Sequence, residues 1–325
     1  MMNKKTALIT GINGQDGSYL AELLLKKDYR IIGLTRDPAT KPTDNTKHIY
    51  KKIEMRYCTY DLHSVSEVID SVQPDEVYNF AGQTYVGKSW EMLDETFQAS
   101  GILPCYFLEA IARLNRKIKF FQASSSEIFY PALKEKLTEK SILAPHNPYG
   151  CSKAFAHNMV KSYRQNYGLY AVNGILFNHE SERRHENFLC KKIVRTAARI
   201  KLGIEDQLVI GNTQLIRDWG YAPDYMEAVH KMLHMSEPED LIIASGVSHS
   251  IESIARQALE LLDLDYDKYV RVDPTLFRPF EAPEICVDIE NTKAKINWSP
   301  KTSFSQMFKI MVDHELALQK KETQK

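Results

Sequence analysis

A strand-forming run, Thr6–Thr10, empties into Gly11-Ile12-Asn13-Gly14-Gln15-Asp16-Gly17, after which Ser18–Lys27 takes up helical periodicity. Few local patterns restrict a chain's fold as strongly. The glycines permit a tight turn, close approach of a ligand to the backbone and close packing of helix on strand. The helix start leaves N–H groups without intrahelical partners, and these suit a phosphate. A glycine-rich connection that binds nothing is the bland alternative. Because the loop follows the first strand, the pattern predicts dinucleotide binding, with Gly11, Asn13, Gly14, Gln15, Asp16 and Gly17 as the phosphate-side candidates.

Strand and helix patterns go on alternating. Strands are predicted at Arg30–Thr35, Met55–Tyr60, Glu76–Ala81, Ile118–Gln122 and Tyr170–Leu176, with helices at Ser64–Val72, Phe97–Leu114 and Tyr149–Asn166. The strands are nearly continuously apolar, as strands of a parallel sheet covered on both faces should be. The predicted fold class is α/β, a doubly wound, Rossmann-like parallel sheet. After Leu176 comes a polar loop, Asn178–Asn187. A helix at Phe188–Leu202, a strand at Leu208–Ile210, a helix at Pro223–Met235, a strand at Leu241–Ala244 and helices at Ile251–Leu262 and Phe304–Leu318 follow. With 325 residues and no repeat or low-complexity linker, the second lobe is expected to interleave with the sheet. The expected division is a cofactor domain over 1–176 with parts of 211–245, and a smaller substrate lobe over 177–210 and 246–325.

Composition excludes several classes. Lys and Arg number 42 against 42 Asp and Glu, without the basic excess of a general nucleic-acid binder. No apolar run reaches the roughly 18 residues of a membrane span, and Met1–Ala7 lacks a signal-peptide core. A cytoplasmic location is the expectation. The five cysteines are scattered and form no Cys-x-x-Cys, so neither a disulfide framework nor a metal site is predicted.

An acid at the end of the second strand would hold a ribose 2′-hydroxyl, whereas an arginine accommodates a 2′-phosphate. Here Arg36 is followed by Asp37, which favours NADP and leaves NAD open. Asp61-Leu62, after the third strand, is a candidate adenine contact, or a helix cap. Tyr149 and Lys153 share a helix face at i and i+4 spacing, within about 6 Å. An ammonium so placed stabilises phenolate and is expected to lower the tyrosine pKa towards working pH. Upstream, Gln122-Ala123-Ser124-Ser125-Ser126-Glu127 leaves the fifth strand at its ligand-binding edge. If the chain stays extended, Ser125 and Glu127 face one side at period two; the competing reading is a helix cap.

The glycine loop, the Tyr-Lys pair and the stretches Gln122–Glu127 (QASSSE), Asn173–Ser181 (NGILFNHES), Arg217–Tyr225 (RDWGYAPDY) and Phe277–Pro279 (FRP) closely resemble the extended short-chain dehydrogenase/reductase superfamily. Within it they resemble the GDP-mannose 4,6-dehydratases over nearly the whole chain. The resemblance implies NADP as a recycled cofactor, contacted also by Phe80, Ala81, Gly82, Gln83, Thr84, His179 and Arg184. It implies that Tyr149 is the base for the sugar 4-hydroxyl, that Lys153 holds the nicotinamide ribose, and that Glu127 removes the carbon-5 proton. Ser125 stands where the family usually has threonine. Asn178, Lys192, Arg217, Arg278 and Glu281 match positions holding the GDP part of the substrate.

Some positions depart from the pattern. The family's Pro-Arg-Arg-Gly after NHES is Glu182-Arg183-Arg184-His185 here, which could alter the pocket. An Arg-Arg pair becomes Arg36-Asp37, and the serine-rich segment that helps join dimers into tetramers is replaced by Pro38–Asn45. The implied activity is conversion of GDP-mannose or a close GDP-sugar to its 4-keto-6-deoxy form; GDP-heptose dehydration, UDP-sugar decarboxylation and 4-epimerisation are the alternatives. Without the resemblance, Arg217 and Arg278 also read as structural ion-pair partners, and His179 and His185 as solvated loop histidines. The implied assembly is a homodimer through the helices at Phe97–Leu114 and Tyr149–Asn166, with a homotetramer open.

Overall fold

The computed structural model describes residues 4–129, 136–277 and 284–323. The first half runs β1 (Thr6–Thr10), α1 (Gln15–Lys26), β2 (Arg30–Thr35), β3 (Ile53–Tyr57), α2 (Leu62–Val72), β4 (Glu76–Asn79), α3 (Leu93–Phe97), α4 (Leu103–Leu114), β5 (Lys119–Ser125), α5 (Pro148–Tyr167) and β6 (Ala171–Leu176). The second half adds β7 (Asn178–Glu180), α6 (Leu189–Lys201), β8 (Leu208–Ile210), β9 (Ile216–Tyr221), α7 (Ala222–Met232), β10 (Leu241–Ile243), β11 (Ser248–Ser250), α8 (Ile251–Glu260), α9 (Tyr266–Tyr269), β12 (Val270–Val272), α10 (Glu290–Ile296) and α11 (Phe304–Thr323).

A seven-stranded sheet in the order β10-β6-β5-β4-β1-β2-β3 forms the centre, and every pairing in it is parallel. Every residue of β1 and of β6 is buried, which is why their sequences read as nearly continuous apolar runs. One face is covered by α1 and α7 through Leu20, Leu24, Met226 and Val229. The other is covered by α2, α4 and α5 through Val65, Ile69, Phe107, Ile111 and Val160. This is the doubly wound sheet expected. At β1 the chain order reverses, with β2 on one side and β4 on the other, and ligands of such sheets bind at the carboxyl ends of the strands there.

The second half leaves the sheet after β6, returns through α7 and β10, and leaves again. Outside the sheet, β9 pairs with β7 in parallel and with β11 antiparallel, and α6, α8 and α11 enclose a separate core around Val194, Ile254, Phe308 and Trp219. Two expectations need correction. The segment Asn178–Asn187 is not loop throughout, because its first residues form β7 against β9. The helix predicted at Phe97–Leu114 is two helices joined by a π-helical stretch, Gln98–Ile102, and Gly101 in that stretch lies against Ser152 and Phe155 of α5. Among the described residues no helix is long and apolar enough to cross a membrane.

Candidate active site

A cleft of about 720 Å³ opens at the carboxyl ends of the strands, between the sheet and the second lobe. Its floor is braced by a buried polar chain that crosses three strands. Thr10 of β1 donates to Asn79 of β4 at 2.6 Å, and Asn79 donates to Gln122 of β5 at 2.8 Å. The Thr10 hydroxyl also accepts the N–H groups of Phe80 and Ala81 at 3.1 and 2.9 Å. Buried polar groups joined in this way hold one geometry, since breaking any link leaves an unpaired group.

Ser125, Glu127, Tyr149 and Lys153 all line this cleft. The extended chain expected beyond β5 stops at Ser125. Residues Ser126–Ile128 form a short 3-10 turn, and the Ser125 hydroxyl accepts the Glu127 N–H at 3.2 Å. A turn, rather than period-two alternation, thus puts serine and glutamate on the same cleft, and the helix-cap reading of the serine is correct as well. Asn147 begins α5 by accepting the Gly150 N–H at 2.8 Å, and Pro148 fills the first helical position, where no N–H is needed. That start points Tyr149 and Lys153 inward, both nearly fully buried.

The Lys153 ammonium lies 5.7 Å from the centre of the Tyr149 ring and donates to the Ala123 carbonyl at 2.8 Å. Burial lowers Lys153 to about 8, against the pull of Asp16. Burial also pushes the Tyr149 phenol up to about 12, although a hydrogen bond with Ser125 works the other way. The expectation of a tyrosine lowered towards neutrality by its lysine is therefore overturned. Loss of hydration outweighs the cation, whose charge is directed to a carbonyl rather than to the phenol.

The glycine loop fits a dinucleotide. Gly11 has φ of +67°, and a side chain there would meet the Phe80 backbone at 3.0 Å. Gly14 caps α1 with no side-chain hydrogen bond, so the first-turn N–H groups keep room for an anion. Asp16 lines the cleft beside His179. The imidazole Nε2 lies 2.9 Å from the Asp16 carboxylate, and Nδ1 lies 2.7 Å from the Phe177 carbonyl. With acceptors on both sides, both ring nitrogens donate. Burial opposes charge on each partner, yet the pairing lowers Asp16 and raises His179. His179 is thus a buried ion-pair member rather than a solvated loop histidine, whereas His185 is exposed.

Other candidates have different duties. Gln15 is buried and joins the loop to the second lobe, donating to the His179 carbonyl at 3.1 Å and accepting from Ser181 at 2.8 Å. Asn13 is held from outside by Asn45 at 3.1 Å and Thr46 at 2.9 Å. Asp61 caps α2 through the Ser64 N–H at 2.8 Å, and Leu62 opens that helix. Phe80 and Thr84 line the cleft; Ala81 and Gly82 lie in the same loop, where a Cβ on Gly82 would come within 3.8 Å of the Lys153 ammonium. Among the described residues, the buried side-chain oxygen of Gln83 there has no partner. Arg36 is exposed, 3.8 Å from Glu95. Asp37 turns its carboxylate to the Ala39 N–H at 2.8 Å.

On the opposite wall, Asn178, Arg184 and Arg217 line the cleft. Arg184 packs over the Phe188 ring at 3.6 Å, and Arg217 also donates to the Ile216 carbonyl at 2.8 Å. Lys192 is not part of this wall and donates to the Val209 carbonyl at 2.9 Å. Arg278 and Glu281 lie outside the described residues. Of the departing stretch, Arg184 lines the cleft, whereas the Glu182 carboxylate accepts from Tyr19 at 2.6 Å and Tyr221 at 3.2 Å. Sequence reasoning missed Asn147, Trp90 and Asp218. Asp218 accepts the Ser245 and Gly246 N–H groups at 2.8 and 2.7 Å, and burial raises it to about 6. The Asn-Pro pair ahead of the Tyr149 helix was a readable capping signal.

Residues 8–311 match the family model described as GDP-mannose 4,6 dehydratase. GDP-mannose 4,6 dehydratase 1 of Arabidopsis thaliana is 40% identical over 332 residues, covering 98% of this chain and 92% of its own. Among solved structures, RMD from Pseudomonas aeruginosa complexed with NADPH superposes with a TM-score of 0.81 at 19% identity, covering 97% of this chain and 100% of that one. The dTDP-glucose 4,6-dehydratase of Bacillus anthracis in complex with NAD gives 0.84 at 21% identity, covering 97% and 98%. At those identities the two structures speak for the fold.

Proposed function

The chain belongs to the GDP-mannose 4,6-dehydratase family, and from that premise we propose how its side chains divide the 4,6-dehydration of GDP-mannose. The carbon-5 hydrogen of a hexose is not acidic until carbon 4 becomes a ketone. A bound nicotinamide dinucleotide would supply that change as a hydride store, filled from carbon 4 and emptied to carbon 6, so that net redox change is zero and the enzyme is a lyase. Gly11, Asn13, Gly14, Asp16 and Gly17 would hold its phosphates, and the Phe80–Thr84 loop, His179 and Arg184 its nicotinamide side.

Tyr149 takes the proton of the 4-hydroxyl, with Ser125 hydrogen-bonded to it and Lys153 holding the ribose. Glu127 takes the carbon-5 proton and passes a proton to the departing 6-hydroxyl, which leaves as water. A proton then returns to carbon 5 from solvent, and Tyr149 releases the 4-hydroxyl proton to solvent in exchange. General acid–base groups of this kind contribute roughly 10²–10⁴-fold each. The observation that carries the reading is the convergence of Ser125, Glu127, Tyr149 and Lys153 on one cleft at the carboxyl ends of the strands. Arg217 and Asn178 on the facing wall hold the GDP part, remote from the reacting carbons; Lys192, which lies off that wall, and Arg278 and Glu281, outside the described residues, are proposed for the same part from the family resemblance alone.

NADP is the proposed form of the cofactor. Arg36 is exposed at the end of β2, while Asp37 is occupied by its own turn and is not offered to a ribose 2′-hydroxyl. The proposed assembly is a homodimer through α4 and α5, which leave Leu114, Phe155 and Tyr167 exposed. The proposed division keeps 1–176 with parts of 211–245 as the cofactor domain and 177–210 with 246–325 as the substrate lobe. The GDP-heptose, decarboxylase and epimerase readings are not favoured by the family match.

The deciding experiment incubates the protein with GDP-mannose and follows 4-keto-6-deoxy product without net cofactor turnover. Glu127→Gln should still oxidise carbon 4 but release no water. Normal water loss in that variant would remove Glu127 from the role of base.

A further inference from the structure

Asn147 does two things with one side chain. Its carbonyl oxygen accepts the Gly150 N–H at 2.8 Å and so caps the helix that carries Tyr149 and Lys153. Its amide nitrogen donates at 2.8 Å to Oε2 of Glu127. The residue is buried and lines the same cleft. Among the described residues, Glu127 Oε1 has no hydrogen-bond partner. One oxygen is thus tethered and the other is left to meet a substrate.

The backbone around Glu127 is fixed by other means. The Ala144 N–H donates to the Ile128 carbonyl at 3.0 Å, Phe129 bridges to Leu143, and Gly150 sits so close that a Cβ there would lie 2.4 Å from the Glu127 carbonyl oxygen. What the backbone cannot fix is the direction of a carboxylate at the end of a flexible side chain, whose rotamers are free unless something holds them. The Asn147 amide supplies that hold, and it does so from the cap of the tyrosine's own helix. Any movement of α5 therefore carries Tyr149 and the Glu127 carboxylate together.

We propose that Asn147 is the positioning residue that keeps the Glu127 carboxylate in register with the Tyr149 phenol, so that both reach one hexose ring. The inference rests on the assignment of Glu127 as the carbon-5 base. Carbon-4 oxidation needs Tyr149 and Lys153 but not the direction of Glu127. Loss of the amide should therefore separate the two steps, whereas loss of a helix cap would weaken both.

Two variants test this. Asn147→Ser keeps a capping oxygen but cannot reach Glu127. Asn147→Asp keeps the cap and places a second carboxylate against Oε2, where the two repel. Single-turnover measurements with GDP-mannose would follow reduced nicotinamide by its near-ultraviolet absorbance for carbon-4 oxidation. Solvent-deuterium incorporation at carbon 5 and release of the 6-deoxy product would report water loss. In both variants carbon-4 oxidation should stay within about threefold of wild type, while water loss falls on the order of 10²-fold, the usual cost of a misplaced reacting group. Unchanged water loss in both variants, or an equal fall in both steps, would overturn the proposal. Glu127→Gln measured alongside separates the failures: if it too loses water normally, the assignment of the base is at fault, and if it alone is blocked, the role of Asn147 is.

Discussion

Gly17→Ala probes the link between the glycine loop and cofactor binding. A methyl at Gly17 would lie 2.4 Å from the Gly11 carbonyl oxygen and 2.6 Å from the Ile12 Cα, both backbone atoms that cannot rotate aside. Ordinary contact starts near 3.4 Å, so α1 must withdraw from the loop by about 1 Å. Overpacking of this sort costs about 1–3 kcal/mol, offset by about 1 kcal/mol because alanine favours helix over glycine. The first-turn N–H groups retreat with the helix, and each charge-assisted hydrogen bond lost to a phosphate is worth about 1.5–3 kcal/mol. One such loss predicts cofactor binding weaker by roughly 10- to 150-fold, with a fall of a few degrees in the melting temperature. Gly168→Ala is the control. Gly168 ends α5 at φ +67° with nothing within 4 Å of a Cβ, so the substitution costs about 1–2 kcal/mol of backbone strain far from the cleft. Titration of NADPH and NADH by calorimetry on wild type and both variants reads the difference. Wild-type affinity in Gly17→Ala, or an equal loss in Gly168→Ala, would refute the reasoning.

Other outcomes follow from the same geometry. Burial holds Lys153 at about 8, so its charge is lost as pH rises through that value and kcat/KM should fall there. The unfolded chain keeps the proton up to about 10.4, so it binds more protons across that window and folding stability should rise with pH over the same range. Lys153→Arg stays charged and should remove the alkaline fall, whatever its effect near neutrality; a pH profile of that variant with the limb intact would assign it elsewhere. Arg36→Ala should weaken NADPH by roughly tenfold, one lost contact to charge, and leave NADH unchanged. Equal affinities for NADPH before and after the change would move the 2′-phosphate contact away from Arg36.

The parallel sheet was legible because its strands are buried on both faces, and burial of that kind writes itself as nearly continuous apolar runs such as Thr6–Thr10 and Ala171–Leu176. The short strands β7, β9 and β11 were not. Asn178-His179-Glu180 and Ser248-His249-Ser250 carry little intrinsic strand preference and are extended because β9 lies between them. Glu182 could not be placed from sequence either, since its partners Tyr19 and Tyr221 lie 163 residues before it and 39 after it. The catalytic spacing predicted which residues would meet but misjudged the phenol. An i, i+4 ammonium lowers a tyrosine pKa when both stay hydrated, and here neither does.

The same burial accounts for the charge pattern around the cleft. Lys153, His179 and Arg184 face it together with Asp16 and Glu180, and each of these charges needs at least a hydrogen-bond partner in so dry a place. Asp16 is paired with His179, and Glu180 lies 3.3 Å from Arg184 and is raised by burial towards its neutral form. Among the described residues the lysine has a carbonyl but no carboxylate at contact distance. The balance therefore leaves the positive sign exposed to the cleft, beside a helix start whose N–H groups add to it. A site that pairs or neutralises Asp16 and Glu180, leaves one ammonium without a carboxylate, and keeps Oε1 of Glu127 for proton transfer suits ligands that carry phosphate. Charge developing on an oxygen in the first step would meet fixed cations rather than water that has yet to reorient, which is where such sites gain most of their rate.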